Sequence, residues 1–233
     1  MAFLFGVPIK VMSLSVKNLR LEYPDKLLFE DLSLELPNQV ICGIEASVLG
    51  GTTSLLKGLA GLIDGVTGLI EINGKNIHSL TGQQRAGLVS ISYEEAGLIS
   101  FLNIYQNIVL PLEYHLPLDD AANFARVKML CEMFGLETAL LVCFPHDLND
   151  VQIRVVNLIR ALIVSPALCL IDELDSGMHE EMIETAFRGL REFNSTHDTT
   201  MIIATSQDTL LVEMDCAYKI EARKLVEFPN DGS

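Results

Sequence analysis

The stretch from residue 40 to residue 62 constrains the fold more than any other part of the chain. Val40-Ile41-Cys42-Gly43-Ile44 is an apolar run of strand length, which reads as a strand buried on both faces. A glycine-containing turn follows, and then apolar periodicity predicts a helix over 53–62. Strand, turn and helix in that order bring the N–H groups of a helix start to the end of a buried strand. A loop in that position has the means to hold phosphate.

The rest of the chain repeats the alternation of strand and helix. Between residues 13 and 44 short runs alternate apolar and polar side chains, with turns at Tyr23-Pro24-Asp25 and Pro37-Asn38, which predicts antiparallel strands. Residues 68–77 read as a hairpin turning at Asn73-Gly74. A strand at 89–93, helices at 119–135 and 151–164, and a strand at 167–171 ending in Asp172-Glu173 come next. A helix at 180–193, a strand at 201–205 and a hairpin at 218–228 complete the pattern, which implies a mostly parallel α/β core. The first residues read as a frayed tail or an extra edge strand.

Charge and cysteine usage exclude several classes. With 31 acids against 16 lysines and arginines, the net charge of −15 opposes both a phosphate backbone and an anionic membrane surface. No nucleic-acid partner is expected. The 5 cysteines are scattered without a C-x-x-C pair, so neither a zinc site nor a disulfide framework is suggested and a reducing cytosol fits. No apolar run reaches the roughly 18–20 residues that span a bilayer. The opening residues are apolar but short, lack a cationic start and contain Pro8, unlike a signal peptide.

Along 13–228 the order of segments resembles the nucleotide-binding domain of ABC transporters. Thr53-Ser54-Leu55-Leu56-Lys57-Gly58-Leu59-Ala60-Gly61-Leu62 looks like the helix after that family's phosphate loop. Asn103-Ile104-Tyr105-Gln106-Asn107-Ile108 with Pro111-Leu112, Arg160-Ala161-Leu162 ahead of Pro166, and Leu168-Cys169-Leu170-Ile171-Asp172-Glu173 follow in the family's order. Within the family, the text from Asn107 to His115 looks most like the ATPase subunit of Mla-type phospholipid transporters, which work with MCE proteins. The resemblance implies an α/β P-loop NTPase (RecA-like) core with an antiparallel β subdomain and an α-helical subdomain. Residues 13–233 would form one ABC-type domain, 98–165 its helical subdomain and 1–12 an N-terminal extension.

It also implies ATP and Mg²⁺ as cofactors. Tyr23 would stack on adenine, although a Tyr beside Pro-Asp is also an ordinary turn residue. Gly50, Gly51, Thr52, Thr53 and Ser54 would surround the phosphates. Thr53, Glu94 and Asp172 stand at Mg²⁺ positions, Glu173 at the general-base position, and Gln152 in the signature that faces the opposite subunit's nucleotide. Four apolar residues followed by two acids also arise wherever a buried strand meets a loop.

The chain departs from the family at the charged positions. The loop pattern G-x-x-x-x-G-K-[ST] reads here Ala46-Ser47-Val48-Leu49-Gly50-Gly51-Thr52-Thr53, so Thr52 stands where the cation belongs. Lys57 lies five positions further on, about 7.5 Å along the helix, and cannot substitute. Glu45 adds an acid just ahead of the loop. The signature L-S-G-G-Q reads Leu148-Asn149-Asp150-Val151-Gln152, with an acid and a β-branched residue where small groups approach phosphate. Glu94 replaces the Q-loop glutamine, Ser206 or Gln207 the switch histidine, and His179 the D-loop aspartate.

Each missing group typically lowers the rate about 10²-fold or more, so little or no ATP hydrolysis is expected. The expectation is a pseudo-ATPase, a structural or regulatory cytoplasmic subunit of a lipid transporter, peripheral on the inner face of the inner membrane. It would bind a transmembrane permease and pair with itself or with another ABC ATPase chain. Two alternatives stay open. One is an atypical but active ATPase in which Thr52, Thr53 and Asp172 hold Mg²⁺-ATP and Glu173 activates water. The other is a soluble, self-associating regulator or scaffold.

Overall fold

The computed structural model describes residues 3–4, 7–8, 12–47, 50–93, 97–115 and 119–229. Two short strands, β1 (Phe3–Leu4) and β2 (Val7–Pro8), pair antiparallel in a sheet of their own. The sequence reading for this segment is a frayed tail or an extra edge strand; the described residues form a separate two-stranded sheet.

β3 (Met12–Tyr23) and β4 (Lys26–Pro37) form a long hairpin closed at Pro24-Asp25. β5 (Ile41–Glu45) then enters the core and α1 (Thr52–Leu59) leaves it. β6 (Val66–Ile72) and β7 (Lys75–Asn76) turn at Asn73 and Gly74, whose φ values of 48° and 72° are those of a type I′ hairpin. The short α2 (Gly82–Ala86) carries a Thr81–Gln84 capping box ahead of β8 (Val89–Ser92). Helices α3 (Ile104–His115), α4 (Asp120–Met133) and α5 (Asp150–Leu162) follow, then β9 (Leu168–Ile171) and α6 (Glu180–Thr196). β10 (Thr200–Thr205), α7 (Asp208–Val212), β11 (Cys216–Glu221) and β12 (Lys224–Glu227) end the fold.

The central sheet runs β12-β11-β5-β10-β9-β8, parallel except for β12 at the edge. The antiparallel sheet β4-β3-β6-β7 is separate. Both faces of the central sheet are covered, which is why its strands lack polar alternation. Ile41, Cys169, Ile171, Met201 and Ile203 face the helical layer of α3 to α6. Cys42, Ile44, Leu168, Leu170, Ile202 and Ala204 face α1 and the antiparallel sheet.

Two features differ from the sequence expectation, and one helix lies where the sequence pattern assigns no element. The helix after the loop stops at Leu59, because Gly61 turns left-handed at φ 65° and the N–H of Leu62 closes on the Lys57 carbonyl at 2.9 Å. β11 belongs to a hairpin as expected, but it also joins β5 in parallel, a pairing that needs tertiary context. α3 forms through Pro111.

A buried amide organises the approach to α3. Fully buried Asn107 accepts from the Ile99 N–H at 2.7 Å and donates to the carbonyls of Ile99, Leu102 and Asn103. The loop ahead of the helix is thereby fixed without regular structure of its own.

Candidate functional site

The loop between β5 and α1 ends at Gly51, left-handed at φ 86°, which allows the chain to enter the helix sharply. No side chain caps α1, so its first N–H groups have no intrahelical acceptor and could still face an anion. Other parts of the loop are closed inward. The Gly50 N–H donates to the Ser47 carbonyl at 2.9 Å, and a side chain at 50 would collide with the Ser47 hydroxyl. Thr52 is 5% exposed, with its hydroxyl 3.5 Å from the Glu45 carbonyl. The position of the missing cation is therefore filled by a buried neutral side chain turned back toward the strand. Val48 and Leu49 lie outside the described residues.

Thr53 and Asp172 are brought together across 119 positions of sequence. The Thr53 hydroxyl donates to Asp172 Oδ1 at 3.2 Å. Asp172 is 5% exposed at the end of β9, and its N–H donates to the Ser92 carbonyl at 2.9 Å. Glu173 follows in a left-handed conformation, φ 49°, uncommon for a residue with a side chain. Its carbonyl accepts from Arg154 Nη1 of α5 at 2.9 Å. The loop beyond is tied as well: Ser206 Oγ donates to Asp175 Oδ2 at 2.8 Å, and the Leu174 N–H to the Ala204 carbonyl at 3.2 Å.

Tyr23 lies close to α1, its hydroxyl 3.2 Å from Ser54 Oγ, and is 38% exposed. Gln152 is placed elsewhere. It lies with Asn149, Val151, Glu181, Met182 and Thr185 around a separate groove of about 430 Å³. Asn149 and Gln152 close a reciprocal capping box, each side chain accepting from the other's backbone N–H at 2.9 and 3.0 Å. Two N–H groups of the helix start are consumed internally, and Asp150 adds a negative charge in the first turn. Glu94, the remaining Mg²⁺ position, lies outside the described residues. His179 is the N-terminal flank of α6 without a side-chain cap, and Gln207 flanks α7 in the same way.

Neighbouring cations do not replace the missing lysine. Lys57 Nζ sits over the Tyr93 ring, 5.6 Å from its centroid. The Tyr93 hydroxyl is raised above its ordinary value by burial and by the Asp172 charge, with Arg160 opposing. Arg160 itself is lowered by burial and donates to the Gly97 carbonyl. Lys219 follows Tyr218, the register partner of Ile44, and so comes beside Glu45. Its ammonium is bound to Glu221 at 2.6 Å, and that hydrogen bond, with Glu45 adding, pushes its pKa up.

Sequence reasoning missed Arg154, Tyr93 and Asp175. Only Arg154 left a signal, as a cation one half-turn beyond Gln152 on the same helix. Tested against Mg²⁺-ATP, the donor set fits in part. An uncapped helix start and the Thr53–Asp172 pair suit it. A buried threonine at the cation position, the inward Gly50 N–H and Asp150 at the signature do not.

A family model described as ABC transporter matches residues 29–176. The methionine import ATP-binding protein MetN of Clostridium acetobutylicum is 27% identical over 198 residues, 83% of this chain and 61% of that protein. The chain thus spans about three fifths of the length of that relative. The lipoprotein-releasing system ATP-binding protein LolD of Buchnera aphidicola subsp. Acyrthosiphon pisum is 27% identical over 205 residues, 86% of this chain and 89% of that protein. Among solved structures, the dimeric post-hydrolysis ATP-binding cassette MJ0796, bound to ADP and Pi, superposes with a TM-score of 0.84 at 17% identity, covering 94% of this chain and 100% of that one. CbiO1 from Clostridium perfringens, part of the transporter complex cbiONQ, gives 0.80 at 18% identity, covering 92% and 87%. At such identities the likeness is one of fold.

Proposed function

The chain belongs to the ABC transporter family, and on that premise we propose that it is a pseudo-ATPase subunit whose role is structural or regulatory. One observation carries the reading. Where phosphate would settle, the chain offers hydroxyls and acids, and these already pair with one another, Thr53 with Asp172 and, in the loop beyond, Ser206 with Asp175, while in the separate signature groove Asn149 and Gln152 cap each other's backbone N–H. With the lysine, the signature small residues and the switch histidine all replaced, turnover falls by several powers of ten in this reading.

In this proposal residues 13–233 act as one unit, with 98–165 as a helical insertion that helps hold a transmembrane permease. Support comes from an apolar groove of about 640 Å³ between β8, α3 and α5, lined by Val89, Ile91, Leu110, Pro111, Ala161 and Val164. It has the size and character to receive an amphipathic helix. Among the described residues no helix is long and apolar enough to cross a membrane. In this proposal, which rests on the family resemblance, the subunit is peripheral on the cytoplasmic face beside that partner. Pairing is with a second copy or with another ATPase chain. A lipid cargo rests on the text from Asn107 to His115 and on the lipoprotein-releasing name of one relative.

A second reading, an atypical but active ATPase, is favoured by the Thr53–Asp172 contact and the uncapped start of α1. Calorimetric titration of the purified chain with Mg²⁺-ATP, with phosphate release measured in parallel, separates the two. No saturable heat below millimolar nucleotide is expected. Submicromolar binding with turnover would transfer the assignment to the second reading.

A further inference from the structure

We infer that Cys42 and Cys216 form a reversible disulfide site in the central sheet, oxidised by a low-molecular-weight disulfide. The two residues are register partners on the adjacent parallel strands β5 and β11. Register partners in parallel strands point to one face, and strands lie about 4.7–4.9 Å apart, inside the roughly 4.4–6.8 Å Cα separation that a disulfide spans. Cys216 is near enough to act on the Cys42 thiol, whose Sγ donates to the Gly43 carbonyl at 3.7 Å. Both contact the apolar layer beneath α1 and the antiparallel sheet, so the face they share is fixed by packing.

Their access differs, and the difference orders the chemistry. Cys42 is fully buried, whereas Cys216 is half-buried at the open start of β11, ahead of the Tyr218–Glu227 pairing that begins the edge hairpin. The Cys216 thiolate attacks one sulfur of the small disulfide, forming a mixed disulfide and releasing one thiolate. Cys42 then gives up its proton and attacks Cys216 Sγ, releasing the second thiol. In sum, two cysteine thiols and one disulfide become one protein disulfide and two small thiols, with two electrons passing to the small molecule. The interaction with Cys216, and after it burial, raises the Cys42 thiol well above its ordinary value, so Cys42 stays protonated until its neighbour has reacted.

The bond would fasten the hairpin of β11 and β12 to the strand that leads into the phosphate loop, close to Glu45. The spacing of the cysteines along the chain gives no hint of this, because the partners are separated by most of the sequence.

The test uses the full chain, incubated with oxidised glutathione, alkylated and examined by intact mass and peptide mapping. Of the five cysteines, three are expected to remain alkylatable. The chain should lose about 2 Da, with the peptides bearing Cys42 and Cys216 joined and released again by dithiothreitol. Cys42→Ala should instead stop at a glutathione adduct on Cys216, a result that needs no change in fold. Five alkylatable thiols after incubation, a lasting glutathione adduct on Cys216 in the unaltered chain, or a link between other cysteines would each overturn the inference.

Discussion

Replacing Thr52 with lysine tests the electrostatic reason for reading the phosphate site as inactive. The side chain at 52 is 5% exposed and leaves the backbone at the start of α1, whose N–H groups have no side-chain cap. A lysine stem would follow the buried threonine and carry its ammonium outward over those N–H groups. An ion pair about 4 Å apart is worth about 4 kcal/mol at an effective dielectric constant near 20, before the desolvation of both partners is subtracted. Hydrogen bonds to charged groups leave about 1.5–3 kcal/mol net, which corresponds to about 10- to 100-fold in affinity. Glu45 and the inward Gly50 N–H hold the gain toward the lower end. Calorimetric titration with Mg²⁺-ATP reads the change, with Thr52→Met as a control for filling the buried site without charge. The gain should shrink as salt rises, because the added attraction is screened. If Thr52→Lys remains folded by circular dichroism and binds no better than Thr52→Met, the missing cation is not what limits the site.

Two further outcomes follow from buried groups. Removing the Asn107 side chain in Asn107→Ala leaves the Ile99 N–H and several carbonyls without their partner and should lower stability by about 2–4 kcal/mol in urea unfolding; a loss of under about 0.5 kcal/mol would mean the loop ahead of α3 is held by something else. Burial pushes the Cys169 thiol up to about 12, above its unfolded value, so its contribution is complete below pH ~8.5 and is lost as pH rises toward the folded value. At pH 10 the loss from this thiol alone is about 2 kcal/mol. Cys169→Ala should therefore flatten the fall of the urea midpoint between pH 7.5 and 10, and an equal fall in both proteins would contradict the burial.

The fold was largely legible because its signals are local. Apolar strands without polar alternation and the Asn73-Gly74 turn each specify their own element from neighbouring residues. What stayed illegible depended on distant parts of the chain. Periodicity assigns no element around Pro111, yet α3 runs through it within a packed layer. β11 looks like half of a hairpin until its parallel pairing with β5 is seen. The site divides in the same way. Thr52 and Asp150 could be read as losses position by position, because a charge is absent or reversed whatever the geometry. The pairings that replace the lost functions could not. Arg154 reaches the Glu173 carbonyl from α5, and Ser206 reaches Asp175 from the end of β10, contacts that no spacing rule within one element encodes. A sequence can thus show that a phosphate site lacks its charges. Only the assembled chain shows that the surviving polar atoms have found one another, which raises the desolvation cost of any ligand that must part them.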